Sequence, residues 1–186
     1  MNRVKLKLNG EELDSMPKNG TPISLGYTRN HGINLEMDDV EDITNTSSAV
    51  VYFLAQTDDY IYYVPVTRRV PNDADPHQAI VNELVKGPSI TTPLLNDFRE
   101  EVQLLEEPKF ANGTVTLNFN EALLSMMGGT ALSEDVLNML VLSLTEQEGV
   151  EEVAIQVESN DTLLVSTGEN ITKPVSRPKT VNTGEY

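Results

Sequence analysis

The sequence predicts an α/β chain of the α+β kind, with two helices packed on one face of a mixed β-sheet. Three observations carry that expectation. Ile61–Val70 is dense in aromatic and β-branched residues and reads as a strand. It runs through a charged turn into a helix whose two ends are both marked, at Asp75-Pro76 and Gly87-Pro88. Asn112-Gly113 separates two further apolar runs, as a tight hairpin requires.

The first six ordered positions alternate. Val4, Leu6 and Leu8 point one way, and Arg3, Lys5 and Lys7 the other, which predicts a half-buried strand before the turn pair Asn9-Gly10. From Glu11 to Ser48 the signals fade. Pro17, Gly20, Pro22, Gly26 and Gly32 interrupt the run, so it reads as a linker or a wrapping segment. Its apolar residues, Ile23, Leu25, Ile33 and Leu35, would let it lie against a domain surface.

Val50–Ala55 is the next strand. Thr57-Asp58-Asp59 closes a hairpin onto the Ile61 strand, and Pro65 within that strand asks for an edge or a bulge. The first helix spans 76–86. Asp75 caps it, Gln78 occupies the capping-box position, and Ile80, Val81, Leu84 and Val85 share a face. Residues 88–100 read as a loop and 102–105 as a short strand. Beyond Asn112-Gly113, Val115, Leu117 and Phe119 alternate with Thr114, Thr116 and Asn118, predicting one buried and one wet face. The Met126-Met127 stretch and Gly128-Gly129 form a loop. The second helix, 134–147, starts at Ser133 as N-cap and carries a wide stripe from Val136 to Leu144, so it is expected to be the more deeply buried. Val153, Ile155 and Val157 define another strand, and Thr162–Ser166 one more. From Gly168 onward the chain reads as an extended tail.

Composition restricts the function. The 186 residues hold 29 acidic and 13 basic side chains, a formal net charge of -16, which repels nucleic-acid backbones and anionic lipid headgroups. With no cysteine, disulfides, thiolate metal sites and cysteine nucleophiles are excluded for this chain. No apolar run has the length of a membrane span. No signal-peptide pattern opens the sequence, so either the protein is cytoplasmic or Met1 is not the natural start.

Candidate chemistry is sparse. Asp73, Asp75 and His77 could offer oxygen and imidazole ligands, but a capped helix start explains them as well. His31 is the other histidine, and no zinc set forms from the two alone. Adjacent acids at Glu100-Glu101, Glu106-Glu107, Glu134-Asp135 and Glu151-Glu152 could serve a glycosidase only across a cleft; in so acidic a chain they read as solvated faces. Phosphate-loop, dinucleotide and nucleophile-elbow patterns are missing. Four Asn-x-Ser/Thr sequons fall in turn-rich stretches and read as coincidence. Arg68 and Arg69 stand out against the acidic background. They read either as a contact for an anionic partner or as local pairs of Asp73 or Asp75. No catalytic, metal or cofactor residue is assigned.

Val4–Asn9 has the pattern of Val153–Glu158, and each is followed by an acidic turn and a Pro-containing extended segment. The sequence also resembles the GerM family of sporulation and spore germination proteins over residues 49–158. The matching pieces are Val51-Tyr52-Phe53, Tyr63–Arg68, Leu84–Pro88, Gly113–Phe119 and Leu142–Gln147 with Gly149-Val150, in the family's order. Asn9–Leu13, Gly20–Ser24, Gly32–Glu36 and Pro174–Pro178 extend the likeness beyond that core.

The resemblance implies a division into 1–15, the last strand of a preceding truncated module; 16–48, the linker; 49–167, the family domain; and 168–186, the tail. It implies tandem modules in an exported lipoprotein whose signal sequence and lipidated cysteine this chain lacks, hence a C-terminal fragment. That lipoprotein would face the space between mother-cell and forespore membranes. It implies a fold similar to ring-building domains, and a non-enzymatic scaffold. Its partners would be other sporulation envelope proteins, including ring-forming channel components. No nucleic acid and no cofactor are expected. A glycan-processing enzyme of the cell wall and a small-ligand module of germination stand as alternatives.

Overall fold

A computed structural model describes residues 4–15, 26, 34–36, 45–58, 60–124 and 130–182. His31, Met126-Met127 and Gly128-Gly129 lie outside these. The first described element is a small hairpin, β1 (Lys7–Leu8) with β2 (Glu11–Glu12). Asn9 and Gly10 turn it with φ of 52° and 89°, the doubly positive geometry of a tight hairpin turn. Val4, Leu6 and Leu8 are 43%, 38% and 56% exposed, so the apolar side of the alternation stands in the open.

A two-residue strand, β3 (Leu35–Glu36), follows within the stretch expected to be linker. Next come β4 (Thr46–Gln56), which starts ahead of the expected Val50, and β5 (Ile61–Pro71). β4 and β5 pair antiparallel along their whole length, from Thr46 opposite Pro71 to Gln56 opposite Ile61. β3 lies parallel to β5 on its other side, at Thr67 and Arg68. Pro65 sits just beyond the reach of β3, where a missing N–H costs least.

The first helix, α1 (Pro76–Lys86), has the expected bounds. Asp75 Oδ1 accepts from the His77 and Gln78 amides at 3.0 and 2.8 Å. Gly87 ends the helix at φ 82°, and a Cβ there would stand 3.0 Å from Asn96 Nδ2. Both the dihedral and the space therefore call for glycine. β6 (Lys109–Ala111) and β7 (Thr114–Phe119) form the second hairpin, turned by Asn112 at φ 52° and Gly113 at φ 80°.

Val115, Leu117 and Phe119 are fully buried as the alternation requires. Asn118 departs from the expected wet face. It is buried, accepting from the Ser159 amide at 2.9 Å and donating to its hydroxyl at 3.3 Å. Residues 102–105 form no strand; a single bridge pairs Leu104 with Phe119.

After a 3-10 turn at Glu121–Leu123 come β8 (Ala131–Leu132), α2 (Glu134–Leu144), β9 (Glu152–Val157), β10 (Leu163–Val165), β11 (Asn170–Ile171) and β12 (Val175–Ser176). β7 and β9 are parallel, with α2 in the crossover between them. They form a mixed sheet of order β12-β9-β7-β6, beside β11-β10-β8 and β3-β5-β4. Both helices pack on β4, and Phe53, Ile80, Leu84, Leu117, Phe119, Met139 and Leu140 share one core.

The second helix is the more deeply buried, as its stripe predicts, but ends at Leu144 rather than 147. Thr145 Oγ1 turns back to the Val141 carbonyl at 2.6 Å and closes the last turn. Its N-terminus is capped from a distance. Ser133 donates its hydroxyl to Asp97 instead, and the Glu134 amide bonds Ser166 Oγ at 3.1 Å. The tail is extended, and it is docked. β12 pairs with β9, and the Asn182 side chain brackets Tyr63, accepting from its amide at 2.7 Å and donating to its carbonyl at 2.8 Å.

Candidate functional site

Arg68 lies in β5, on the strand that leads into α1. Alternation along β5 turns its side chain toward the end of that helix, and the chain closes around it. Arg68 is only 7% exposed. Its Nε and Nη2 donate to Glu36 Oε2 at 3.0 and 2.6 Å. Nη1 donates to Glu83 Oε2 at 2.7 Å, and Nη2 also reaches the Gly87 carbonyl at 2.6 Å. The guanidinium carbon stands 5.0 Å from the centre of the Phe53 ring. A planar fork suits this work, since it serves two carboxylates and a helix-terminal carbonyl at once. The cation also sits at the negative end of the α1 dipole.

This geometry shows Arg68 paired within the chain. The carboxylates that hold Arg68 are Glu36 and Glu83, not Asp73 or Asp75. A partner would reach Arg68 only by displacing them. Arg69 points the other way and is half-buried. It donates to Thr46 Oγ1 at 3.0 Å, to Ser48 Oγ at 3.2 Å and to the Thr46 carbonyl at 3.2 Å. Asp75 is spent on the helix cap. His77 is buried against Phe110, ring centres 5.5 Å apart, with Nδ1 3.6 Å from Asp75 Oδ1. Among the described residues no group of three or more His, Asp or Glu is placed to hold a metal ion.

Around Arg68 and Arg69 opens a cleft of about 570 Å³, bounded by Glu36, Glu83, Lys86 and the loop Gly87–Thr91. Its charged floor is largely neutralised from within. Glu36 Oε1 is the exception, buried without a hydrogen-bond partner among the described residues. At the lip, Ile90 is 100% exposed on a loop that Ser89 and Thr92 tie together, the Thr92 amide and hydroxyl both donating to the Ser89 carbonyl.

A second arginine site lies across β4. Tyr52 and Phe53 are neighbours in sequence, so their side chains leave the strand on opposite faces. Arg177, from the tail, stands 5.4 Å from the centre of the Tyr52 ring. It donates to Glu146 Oε1 at 2.7 Å, to Tyr52 Oη at 2.9 Å, and to the Leu142 carbonyl at 2.8 Å at the end of α2. Ser143 completes this side. Its hydroxyl donates to the Met139 carbonyl at 2.6 Å and accepts from the Tyr52 amide at 2.9 Å. Nearby, Tyr63 donates to Asp135 at 2.8 Å and accepts from Asn138 at 2.9 Å. Burial, together with the bond to Asp135, raises the Tyr63 phenol above its ordinary pKa. Sequence reasoning named neither Arg177 nor Ser143 as a site residue. The available signal was the Pro174–Pro178 motif, which placed Arg177 between two prolines.

The comparisons with known proteins agree with this architecture. The family model described as "Germane: Sporulation and spore germination" matches residues 50–162. The spore germination protein GerM of Bacillus subtilis is 46% identical over 189 residues, covering 100% of this chain and 52% of that protein. The chain thus spans about half the length of that curated relative.

The tandem GerMN domains of the sporulation protein GerM from Bacillus subtilis superpose with a TM-score of 0.86 at 47% identity. The match covers 98% of this chain and 64% of that one. The first GerMN domain of the same protein gives 0.55 at 14% identity, over 71% of this chain and 98% of that one, a likeness of fold. The chain belongs to the GerM family of sporulation and spore germination proteins.

Proposed function

We propose that this chain is a non-enzymatic assembly module that binds other proteins of the sporulation envelope. In the whole protein it would scaffold the channel between mother cell and forespore, carried by an exported, lipid-anchored chain. Residues 1–15 would then close a preceding module. Family membership supports the setting. The observation that carries the assembly reading is the way polar side chains are used. Arg68, Glu83, Arg177 and Glu146 are turned inward on one another, whereas Ile90 is wholly exposed on a braced loop. An apolar side chain held out by a preorganised loop suits protein contact, because little ordering entropy remains to be lost on binding. Arg69, at the rim of the same cleft, is the cation we assign to that contact.

The test is made in sporulating cells with the full-length protein. A photo-crosslinking residue at position 90 is expected to capture envelope proteins, and the pair Ile90→Asp and Arg69→Glu to abolish both capture and efficient sporulation. If both survive those changes while the variants stay folded, this surface is not the contact. Release of sugar products from purified cell wall by the wild-type protein would overturn the non-enzymatic reading.

A further inference from the structure

Glu36 Oε2 is one atom that ties β3 to two other parts of the chain. It accepts from Arg68 Nε and Nη2 at 3.0 and 2.6 Å, and from the Ser89 amide at 3.4 Å. Glu36 belongs to β3, whose pairing with β5 is two residues long. Among the described residues one more side-chain bond secures that segment, from Asn34 Nδ2 to the Pro65 carbonyl at 2.8 Å. Two ladder positions alone make a weak attachment, so the charge-assisted bonds of Glu36 must supply much of its hold. Arg68 also grips the Gly87 carbonyl, at the root of the loop that ends in Ile90.

From this we infer that residues 34–36 are a latch. When seated, Glu36 fixes both Arg68 and the amide of Ser89, and so holds the 87–92 loop in its braced form. When lifted, the segment withdraws one acceptor from the Ser89 amide and uncovers the β5 edge at Thr67 and Arg68. Arg68 stays in place, because Glu83 and Gly87 still hold it. Among the described residues the buried oxygen Glu36 Oε1 has no hydrogen-bond partner, and a carboxylate with one such oxygen is less tightly held than one with both satisfied. The latch therefore couples the position of the segment ahead of the domain to the exposed loop beside the cleft.

Hydrogen exchange read by mass spectrometry tests this on the 186-residue chain, comparing wild type with Glu36→Ala and Glu36→Gln. With Glu36→Ala, segments 34–36 and 87–92 should both exchange about tenfold faster, while 51–55 and 136–144 keep their wild-type rates. Glu36→Gln retains an acceptor and should fall between. Faster exchange at 34–36 with 87–92 unchanged would overturn the coupling. No change at either segment would show that Glu36 does not hold the latch. Uniform acceleration through every segment in both variants would make Glu36 a general stability residue and equally overturn the proposal.

Discussion

Two arginines flank β4, and they are built in opposite senses. Arg68 is a cation of the core strand layer, and the carboxylate of Glu36 comes to it from outside the family-matched region. Arg177 is a cation of the tail, and it goes to a carboxylate, Glu146, that the helix layer already holds. Each lies over an aromatic ring of β4, Phe53 for one and Tyr52 for the other. The Arg68 side chain is 8% exposed and serves two carboxylates, whereas Arg177 is 31% exposed and serves one. What differs is what remains when the outer segment leaves. Without Glu36, Arg68 still has Glu83. Without Arg177, Glu146 still accepts from Tyr52 Oη at 2.8 Å. In both cases an arginine's charge-assisted bond helps to fasten a flank, and the same guanidinium also reaches a carbonyl at the end of a helix.

The comparison breaks most readily at Arg68. Replacing it by alanine leaves Glu36 and Glu83 without their cation, and unfolding in urea should show a loss of about 3–5 kcal/mol. Arg177→Ala removes bonds that are partly exposed, so a smaller loss of roughly 2 kcal/mol is expected. The tail should then become open to proteolysis near 174–182 while the core keeps its near-ultraviolet spectrum. Ser143→Ala probes the Tyr52 side without touching the tail. It strands the Tyr52 amide and should cost about 1–3 kcal/mol with no gain in tail cleavage.

The smallest effect is one of pH. The folded pKa of Tyr63 lies above its unfolded value of about 10, so the native state keeps the proton longer. The stability this gives is complete below pH 10 or so and is lost as pH rises through the folded pKa. Tyr63→Phe should flatten that alkaline decline in a thermal-unfolding series.

The core of the fold was legible because its signals are local. Asp75-Pro76 and Gly87 write both ends of α1 into neighbouring residues, and Asn112-Gly113 writes the hairpin turn. The wide stripe from Val136 to Leu144 announces a buried helix. The flanks resisted for the opposite reason. β3 is two residues long and has no period to read, and its hold depends on Arg68, thirty-two positions away. The tail has too few apolar residues to signal docking, since Arg177 and Asn182 dock it by polar side chains.

The cap of α2 comes from Ser166 although Ser133 occupies the expected position, because Asp97 claims the Ser133 hydroxyl. Asn118 sits on the side of β7 that alternation leaves wet, and its burial goes with its pairing to Ser159, a contact distant in sequence. Arg68 and Arg69 were visible as a basic doublet in an acidic chain. Strand alternation separates them, but sequence spacing could not say which of the two turns inward.

The central claim is that residues ahead of the family-matched core are part of the folded domain through the Glu36–Arg68 pair. A double-mutant cycle tests it most directly, with Glu36→Gln, Arg68→Lys and the combined variant compared by urea unfolding at neutral pH. A coupling energy of about 1 kcal/mol or more is predicted for a pair this buried and this close. Losses that add to within about 0.5 kcal/mol would contradict the account and place residues 34–36 outside the domain's cooperative fold.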